Sequence, residues 1–338
     1  MTALSVLDLV SVREGQGPAE ALADSLEAAR AAERLGYRRY WVSEHHNMAG
    51  VASAATAVVI GHLAAGTSRI RVGAGGIMLP NHAPLLVAEQ FGTLEALHPG
   101  RIDLGLGRAP GTDPLTARAM RRDLAAAAER FPADVVELRA LLAEPGPGQP
   151  ILAVPGSGSN VPLWMLGSSL FGARLAASLG LPYAFASHFA PDALDAALAA
   201  YRGGFEPAEG GIEAPCAMPC VNVVVADTEE RARRLFTTAQ QMFVAMVRGA
   251  RGLMPPPVDA MEGRWSALER AHAERMLACS FVGSPDTVRE ALGGFVARAG
   301  ADELMVHVPV FDQEERLRSM ELLARIGTEL DASGSRAA

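Results

Sequence analysis

The sequence predicts a single parallel (β/α)8 barrel. Short apolar runs alternate with alanine-rich amphipathic patterns through nearly all of the 338 residues, and the apolar runs number eight. Eight is the number of strands that a closed parallel barrel needs. The runs are continuously apolar, as in strands that are covered on both faces. Three of them end in glycine or polar residues, where such a barrel carries its chemistry.

The elements follow one another as strand and helix. The predicted strands are Ala3–Val10, Arg39–Ser43, Arg69–Ile77, Arg101–Leu106, Pro162–Leu166, Tyr183–Ser187, Pro219–Val225 and Glu303–Val308. A helix is predicted over Pro285–Ala299, because apolar residues recur there at helical spacing after the N-cap residue Ser284. A last helix is predicted over about Asp312–Leu330. We therefore expect one domain over residues 1–330 and a disordered tail over 331–338.

Two stretches interrupt the alternation. Glu144–Asn160 is rich in Pro, Gly and Ser and is predicted to be a long connection. Thr228–Ser280, between the seventh and eighth strands, is longer than a barrel helix requires and contains the irregular run 251–257. Long irregular loops above a barrel often serve as lids, so we expect a lid here, with a plain surface loop as the alternative.

Composition limits the classes of function. The net charge of −8 argues against nucleic acid or an anionic membrane as the main partner. All thirty basic residues are Arg, which excludes a catalytic lysine. Three cysteines without zinc-site spacing favour a reduced, cytoplasmic setting. No signal peptide or membrane span is expected.

The segment Trp41–His46 ends the second predicted strand with Glu44, His45 and His46. Successive strand residues point to opposite faces, so the two histidines are expected in different surroundings. At the end of a barrel strand, a histidine that exchanges protons near neutral pH is a candidate catalytic group. We predict no metal site, because neither a helical His-Glu-x-x-His pattern nor a pair of cysteines is present.

The segment 72–84 places Gly73, Gly75 and Gly76 on the third strand. Glycines there let a flat ligand approach the backbone, with a simple strand bulge as the alternative. The two prolines that follow put His82 on a loop above the barrel, where it is a candidate for the substrate pocket together with His188.

Two further segments predict an anion site. Leu104–Arg108 ends the fourth strand with Gly107 and the forked donor Arg108. After the fifth strand, Gly167, Ser168 and Ser169 open a helix, where hydroxyl groups and free N–H groups suit a phosphate. N-capping alone would explain one serine. No dinucleotide fingerprint is present, because no third glycine opens a helix.

These segments, in this order, resemble the bacterial luciferase-like flavin-dependent monooxygenases, in the branch nearest the luciferase α subunit. The resemblance extends from Leu4 to about Ile326 and includes Phe281–Val288, which is similar to the usual lead into the last barrel helix. It implies a barrel that holds reduced FMN (FMNH2) at its C-terminal mouth and reacts with O2 through a flavin C4a-(hydro)peroxide. It also implies a separate flavin reductase and a homodimer.

The same resemblance assigns residues. It implies that His45 is the catalytic histidine and His46 its supporting neighbour, and that a cis peptide joins Gly75 and Gly76 beneath the flavin ring. Arg108 and Ser169, with Ser168 beside them, match positions that hold the FMN phosphate. Candidates for a second phosphate arginine are Arg121, Arg122 and Arg130.

The chain also departs from the family pattern at two positions. Gly107 replaces the reactive cysteine of luciferase, so we expect no bioluminescence and a roomier pocket at that point. Gly172 replaces a phosphate-contacting threonine, which leaves fewer donors in the anion site.

Three alternatives stay open. The deazaflavin F420 used by some relatives would make the chain a hydride-transfer oxidoreductase, and a non-catalytic flavin-binding protein is a second reading. A barrel hydrolase would need opposed carboxylates, and only Glu44 and Asp103 lie near strand ends. The sequence does not identify the substrate: an aldehyde, a polyketide-like aromatic and an alkyl sulfur compound all fit.

Overall fold

Parallel strands close into a ring in the computed structural model, which describes residues 2–109, 113–120 and 123–334. The strands are β1 (Ala3–Asp8), β2 (Arg39–Val42), β3 (Arg71–Met78), β4 (Ile102–Gly107), β5 (Leu163–Gly167), β6 (Tyr183–Phe185), β7 (Ala217–Val225), β8 (Ser280–Gly283) and β9 (Glu303–His307). The ring runs in chain order from β1 to β7, and β9 closes it between β7 and β1. The predicted eight-stranded parallel barrel is confirmed.

Each ring strand lies within two residues of its predicted bounds. The strand that the sequence did not predict is β8, which pairs with β7 outside the ring. It has only four residues. A run this short carries no periodicity that distinguishes a strand from the approach to a helix.

The helices surround the ring. They are α1 (Pro18–Leu35), α2 (Thr56–Ala65), α3 (Pro84–Leu97), α4 (Pro114–Ala119), α5 (Leu124–Leu142), α6 (Leu170–Ser178), α7 (Leu194–Gly203), α8 (Glu229–Val247), α9 (Ala267–Met276), α10 (Pro285–Ala299) and α11 (Gln313–Gly334). The bounds of α10 coincide with the prediction, and the Ser284 side chain caps it by accepting from Thr287 N. The helix α11 continues to Gly334, past the predicted start of the tail, and residues 335–338 lie outside the described residues.

The expected insert is more regular than its sequence indicated. Helix α8 packs on β7 and β8 as an ordinary barrel helix, and α9 packs on α8. The irregular part is confined to residues 248–266. Within it, Met254 N donates to Val12 O at 2.9 Å, and Glu14 N donates to Met254 O at 2.8 Å. This segment is therefore tied to the loop that follows β1, and its role as a lid stays a prediction.

Buried charges close the N-terminal end of the barrel. Arg39 donates to Asp103 at 2.8 Å and to Glu303 at 2.6 Å, and its guanidinium lies 4.7 Å from the ring of Trp164. Arg71 binds the other oxygen of Asp103 at 2.7 Å. Asp103, which the sequence placed near a strand end, thus belongs to this floor. Among the described residues, this floor closes one end of the barrel, so a ligand would enter from the opposite end, the C-terminal mouth.

Within the described residues, the helices include none that is both long and apolar enough to cross a membrane.

Candidate active site

A cavity of about 260 Å³ opens at the C-terminal mouth of the barrel. Every ring strand contributes to its wall, either directly or through the loop that follows it. Nine of the predicted site residues line it: His45, Gly75, Gly76, Gly107, Arg108, Gly167, Ser168, Ser169 and His188. The strand ends predicted to carry chemistry therefore converge on one concave site, the usual setting for a ligand in this fold.

His45 faces the cavity, and its surroundings favour the neutral imidazole. Its Nδ1 lies 3.2 Å from Ser43 Oγ, which leaves Nε2 as the ring nitrogen for exchange with a ligand. Burial is the main cause that lowers the pKa of His45, and the positive charge of Arg251 lowers it further. The residue can therefore accept a proton at neutral pH.

His46 and His82 lie outside the cavity lining and share one carboxylate instead. His46 Nε2 and His82 Nε2 donate to Glu44 Oε1 at 2.7 and 2.8 Å, and Met78 N donates to Glu44 Oε2 at 3.0 Å. Burial raises the pKa of Glu44, but the hydrogen bonds from His46 and His82 outweigh it and bring the pKa to about 2. The two adjacent histidines lie in different surroundings, as predicted, although both follow β2 rather than lying within it. His46 thus has no direct access to a ligand in the cavity.

Glu44, His46 and His82 also offer three ligand atoms within 4.8 Å of one another, a spacing that could hold a metal ion. Each histidine nitrogen already donates to the carboxylate at ordinary hydrogen-bond distance. These bonds satisfy the three groups without a metal, so the predicted absence of a metal site stays a prediction.

The glycine pair on β3 is shaped by its neighbours. The peptide between Gly75 and Gly76 is cis, as the resemblance implied, and the register with β4 shifts between Ala74 and Ile77, as the bulge alternative predicted. A Cβ on Gly76 would lie 2.7 Å from Gly105 O. Glycine is therefore required here so that β3 and β4 can approach each other, while the backbone stays open to the cavity.

Gly107 lines the cavity, and the roomier pocket expected there stays a prediction. A Cβ added to Gly107 would lie 3.0 Å from Met78 Sδ. The flexible thioether of Met78 fills the space that the missing side chain leaves, as methionine commonly does in irregular gaps.

Donors for an anion collect at the ends of β4 and β5. Ser169 is the N-cap residue of α6, but its side chain makes no capping hydrogen bond. Capping therefore does not explain this serine, and both its hydroxyl and the first N–H groups of α6 can serve a ligand. The guanidinium of Arg108 lies 4.0 Å from the centre of the Phe171 ring. Such stacking holds the guanidinium in place while its N–H edges stay open.

The second phosphate arginine is not identified. Arg121 and Arg122 lie outside the described residues. Arg130 is 70% exposed and pairs with Asp134 at 3.5 Å on the outer surface of α5.

His188 occupies the side of the cavity formed by β6. Asn222 Nδ2 donates to His188 O at 2.7 Å, and Asn222 Oδ1 lies 3.0 Å from His307 Nδ1. Asn222 and His307 were not predicted from the sequence, since nothing in their local pattern marks them. The apolar wall residues, such as Leu9, Trp41, Phe189 and Met305, were not predicted either. The period-two alternation of the predicted first strand, Ala3–Val10, places Leu7 and Leu9 on one face and could have revealed part of this wall.

The chain is similar to known proteins over almost its whole length. The family model described as luciferase-like monooxygenase matches residues 2–303. A protein of Escherichia coli strain K12 named luciferase-like monooxygenase is 50% identical over 328 residues, which cover 97% of this chain and 98% of that protein. The crystal structure of apo-MsnO8 is 37% identical with a TM-score of 0.85, and covers 97% of this chain and 99% of that one.

Two more distant structures share the fold alone. The oxygenating constituent of 3,6-diketocamphane monooxygenase from Pseudomonas putida, in complex with FMN, has a TM-score of 0.69 at 17% identity and covers 96% of this chain and 97% of that one. An F420-dependent secondary alcohol dehydrogenase, in complex with an F420-acetone adduct, has a TM-score of 0.71 at 15% identity and covers 95% and 97%. The fold therefore does not choose between these two cofactors.

Proposed function

The chain belongs to the luciferase-like monooxygenase family, and we propose that it uses FMNH2 and O2 to oxidise a small organic substrate. One observation carries the proposal: a single cavity joins His45, the open backbone of Gly75–Gly76 and the donors Arg108 and Ser168–Ser169. These are a proton-exchanging group, a surface for a flat ring and a site for a phosphate. Together they match the three parts that FMN chemistry requires of a protein.

The anion site supports FMN in particular. Ser169 has a hydroxyl that does not cap its helix, and Arg108 is a permanent cation with forked donors that suit a phosphate monoester. Gly172, where the family has a threonine, adds no hydroxyl. We therefore expect weak, reversible binding of FMN.

His45 is the proposed proton-handling residue. Reduced FMN, when bound, would supply the electrons that activate O2. The protein would hold the substrate in a cavity with a largely apolar wall, and His45 would accept or return a proton at Nε2 while Ser43 Oγ orients the ring through Nδ1. His46 would act only by fixing Glu44, and through it the loop that carries His82.

Two protein partners belong to the proposal. A separate flavin reductase would supply FMNH2, since the sequence contains no dinucleotide fingerprint. Turnover should then proceed with chemically reduced FMN alone, and NADH or NADPH should support it only after a reductase is added. We also propose a homodimer in a cytoplasmic setting.

The first test is a thermal-shift titration with FMN, anaerobically reduced FMN, FAD and reduced F420, followed by oxygen uptake with the cofactor that binds. A ligand that binds only the folded state at 100 times its Kd stabilises by about 2.7 kcal/mol. Stabilisation by reduced FMN with substrate-dependent oxygen uptake is expected. Selective stabilisation by F420 would move the protein to hydride transfer. Flavin binding with no product from any substrate would indicate a flavin-binding protein without catalysis.

A further inference from the structure

The cavity has two halves with different chemistry. Strands β3, β4 and β5 are consecutive in the ring and end in the residues proposed to hold FMN, which we call the cofactor half. The remaining ring strands line the opposite side, which we call the distal half. Its largest wall side chains are Leu9, Trp41, Phe185, Phe189 and Met305, together with the imidazoles of His45 and His188.

No charged side chain that the structure describes lines the distal half. Within the described lining, Arg108 is the one permanently charged residue, and it belongs to the cofactor half. Burial lowers the pKa of both distal histidines, that of His188 to about 3, so both rings are neutral at pH 7. The carboxylate of Glu44 is not part of the cavity lining and accepts hydrogen bonds from His46 and His82. The guanidinium of Arg251, whose charge acts on His45, lies outside the lining. A charged ligand group in this half would therefore lose its hydration without gaining a counter-ion among the described lining residues.

His188 is the polar group in this half that lacks a partner. The side chain is 92% buried, and its Nδ1 has no hydrogen-bond partner among the described residues. Its ring packs edge-on against Phe189 at 4.8 Å, and its carbonyl is fixed by Asn222. Buried polar atoms are nearly always hydrogen-bonded, and this ring lines the cavity, so a rotation that turns a ring nitrogen toward the cavity would let it hydrogen-bond a ligand.

We propose that the distal half binds a neutral, mainly apolar substrate and that His188 hydrogen-bonds its polar group. The inference rests on the proposed function, since it assumes that FMN fills the cofactor half. The apolar wall would bind the hydrocarbon part, and the absence of a counter-ion would select against carboxylates, sulfonates and ammonium groups. His188 would set which end of the molecule enters first.

Three probes with the same hydrocarbon chain test the charge preference: 1-octanol, sodium octanoate and octylammonium chloride. Calorimetric titration of the FMN-saturated protein is expected to give a Kd for 1-octanol at least about tenfold below the values for both ions, because an unpaired buried charge costs more than an unpaired hydroxyl group. A Kd for either ion equal to or below that of 1-octanol would overturn the proposal. So would undetectable binding of 1-octanol.

Substitutions at His188 test the hydrogen bond. His188→Phe keeps an aromatic ring and is expected to weaken 1-octanol binding about fivefold or more, whereas His188→Gln, which keeps a donor and an acceptor, should stay within about twofold of wild type. His272→Phe, at an exposed position on α9, is the matched control. Unchanged FMN affinity would show that the variants are folded. Equal 1-octanol affinity in wild type and His188→Phe would overturn the role of His188.

The two proposals fail in different ways. Titration requires no turnover, so a protein that binds FMN and 1-octanol but never consumes oxygen would refute the monooxygenase proposal and leave the pocket assignment standing. Conversely, oxygen-dependent oxidation of an anionic substrate through this site would support the monooxygenase and refute the neutral-substrate inference.

Discussion

His45 and His46 are neighbours in the chain, yet their surroundings give them different chemistry. His45 has one ring nitrogen near Ser43, faces the cavity and has a lowered pKa, whereas His46 has a pKa raised by its hydrogen bond to Glu44. The first can exchange a proton with a ligand, and the second is held as a donor. Both residues lie just beyond β2, which ends at Val42, and the path of the loop there places the two side chains in different surroundings.

His45→Ala should therefore slow turnover while leaving the cofactor site intact. General acid–base groups contribute about 100-fold to 10,000-fold, so we expect kcat to fall by that range and the Kd for FMN to change by less than about threefold. Single-turnover oxidation with prereduced FMN measures the effect. His62→Ala, at an exposed position on α2, is the control. Turnover near the wild-type rate in His45→Ala would remove the proposed proton role.

Glu44 should make stability depend on pH. Its folded-state pKa of about 2 lies below its usual value of 4.5, so its contribution is present above pH 4.5 and is lost as the pH falls toward 2. His46 has a raised pKa, so its contribution to the free energy of unfolding is fully present below pH 6.5 and is lost as the pH rises through its folded-state pKa. Both residues therefore contribute to the free energy of unfolding near pH 5.5.

Glu44→Gln is expected to lower the free energy of unfolding by about 3 kcal/mol at pH 5.5, since one unit of pKa shift is worth about 1.4 kcal/mol. At pH 3.5 the difference should shrink by about 1 kcal/mol, because the wild-type carboxylate has begun to lose its advantage. Urea unfolding at both values measures this, with the exposed Glu137→Gln as control. A difference that does not change with pH would show that Glu44 acts only by packing.

The positions of single site residues could be predicted from the sequence where each residue lies at or just after the end of a strand. His45, Gly75, Gly76 and Arg108 all line the cavity because each follows or ends a predicted strand. The contact of Glu44 with His82 joins residues 38 positions apart through a loop, and no local pattern determines that loop's path. The same reason explains why Asn222 and its bonds to His188 and His307 went unnoticed.

Among the elements, the segment 248–266 is attached to the mouth through its backbone. A Cβ on Gly50, in the loop after β2, would lie 2.1 Å from Gly252 O, so these two backbones touch directly. Met254 is hydrogen-bonded to the loop after β1 on the neighbouring side. The loops after the first two strands therefore hold this segment close to His45, whose pKa is lowered in part by Arg251.

Gly50→Ala should loosen that attachment. The added methyl group would overlap the carbonyl oxygen of Gly252, and a backbone atom cannot move aside as the end of a flexible side chain can. We expect a loss of about 1–3 kcal/mol in the free energy of unfolding and faster tryptic cleavage after Arg251. Gly146→Ala is the control, since a Cβ there meets nothing within 4 Å. Cleavage after Arg251 at the wild-type rate would show that the contact with Gly50 does not hold the segment.

Helices and strands could be predicted where they are long enough for the spacing of apolar residues to distinguish a helix from a strand. The eight ring strands and α10 follow directly from apolar runs and caps. The segment 228–280 was read as one irregular insert because its run of prolines dominates the sequence pattern, although α8 has a long amphipathic stretch of its own. Proline marks where a helix cannot continue, but it does not determine how far the preceding helix extends.

At the scale of the whole molecule, one outer face of the barrel exposes several large apolar side chains. Val58 on α2 is 73% exposed, and Leu86 and Leu97 on α3 are 55% and 66% exposed. Helices α2 and α3 pack against each other, and Gly92 on α3 lies so close to Gly156 that an added Cβ would overlap it. The exposed apolar residues Ile151, Leu152 and Val154 lie in that adjoining segment.

The proposed homodimer would bury this face, since exposed apolar side chains on neighbouring elements are typical of an association surface. Light scattering at micromolar concentration is expected to give twice the chain mass of 35.4 kDa for wild type. Leu86→Asp should shift the protein to monomer, because the buried interface would then contain an unpaired carboxylate. Leu268→Asp on α9, at a position 69% exposed, should stay dimeric. A monomeric wild type would refute the homodimer, and a dimer that survives Leu86→Asp would place the interface on another face.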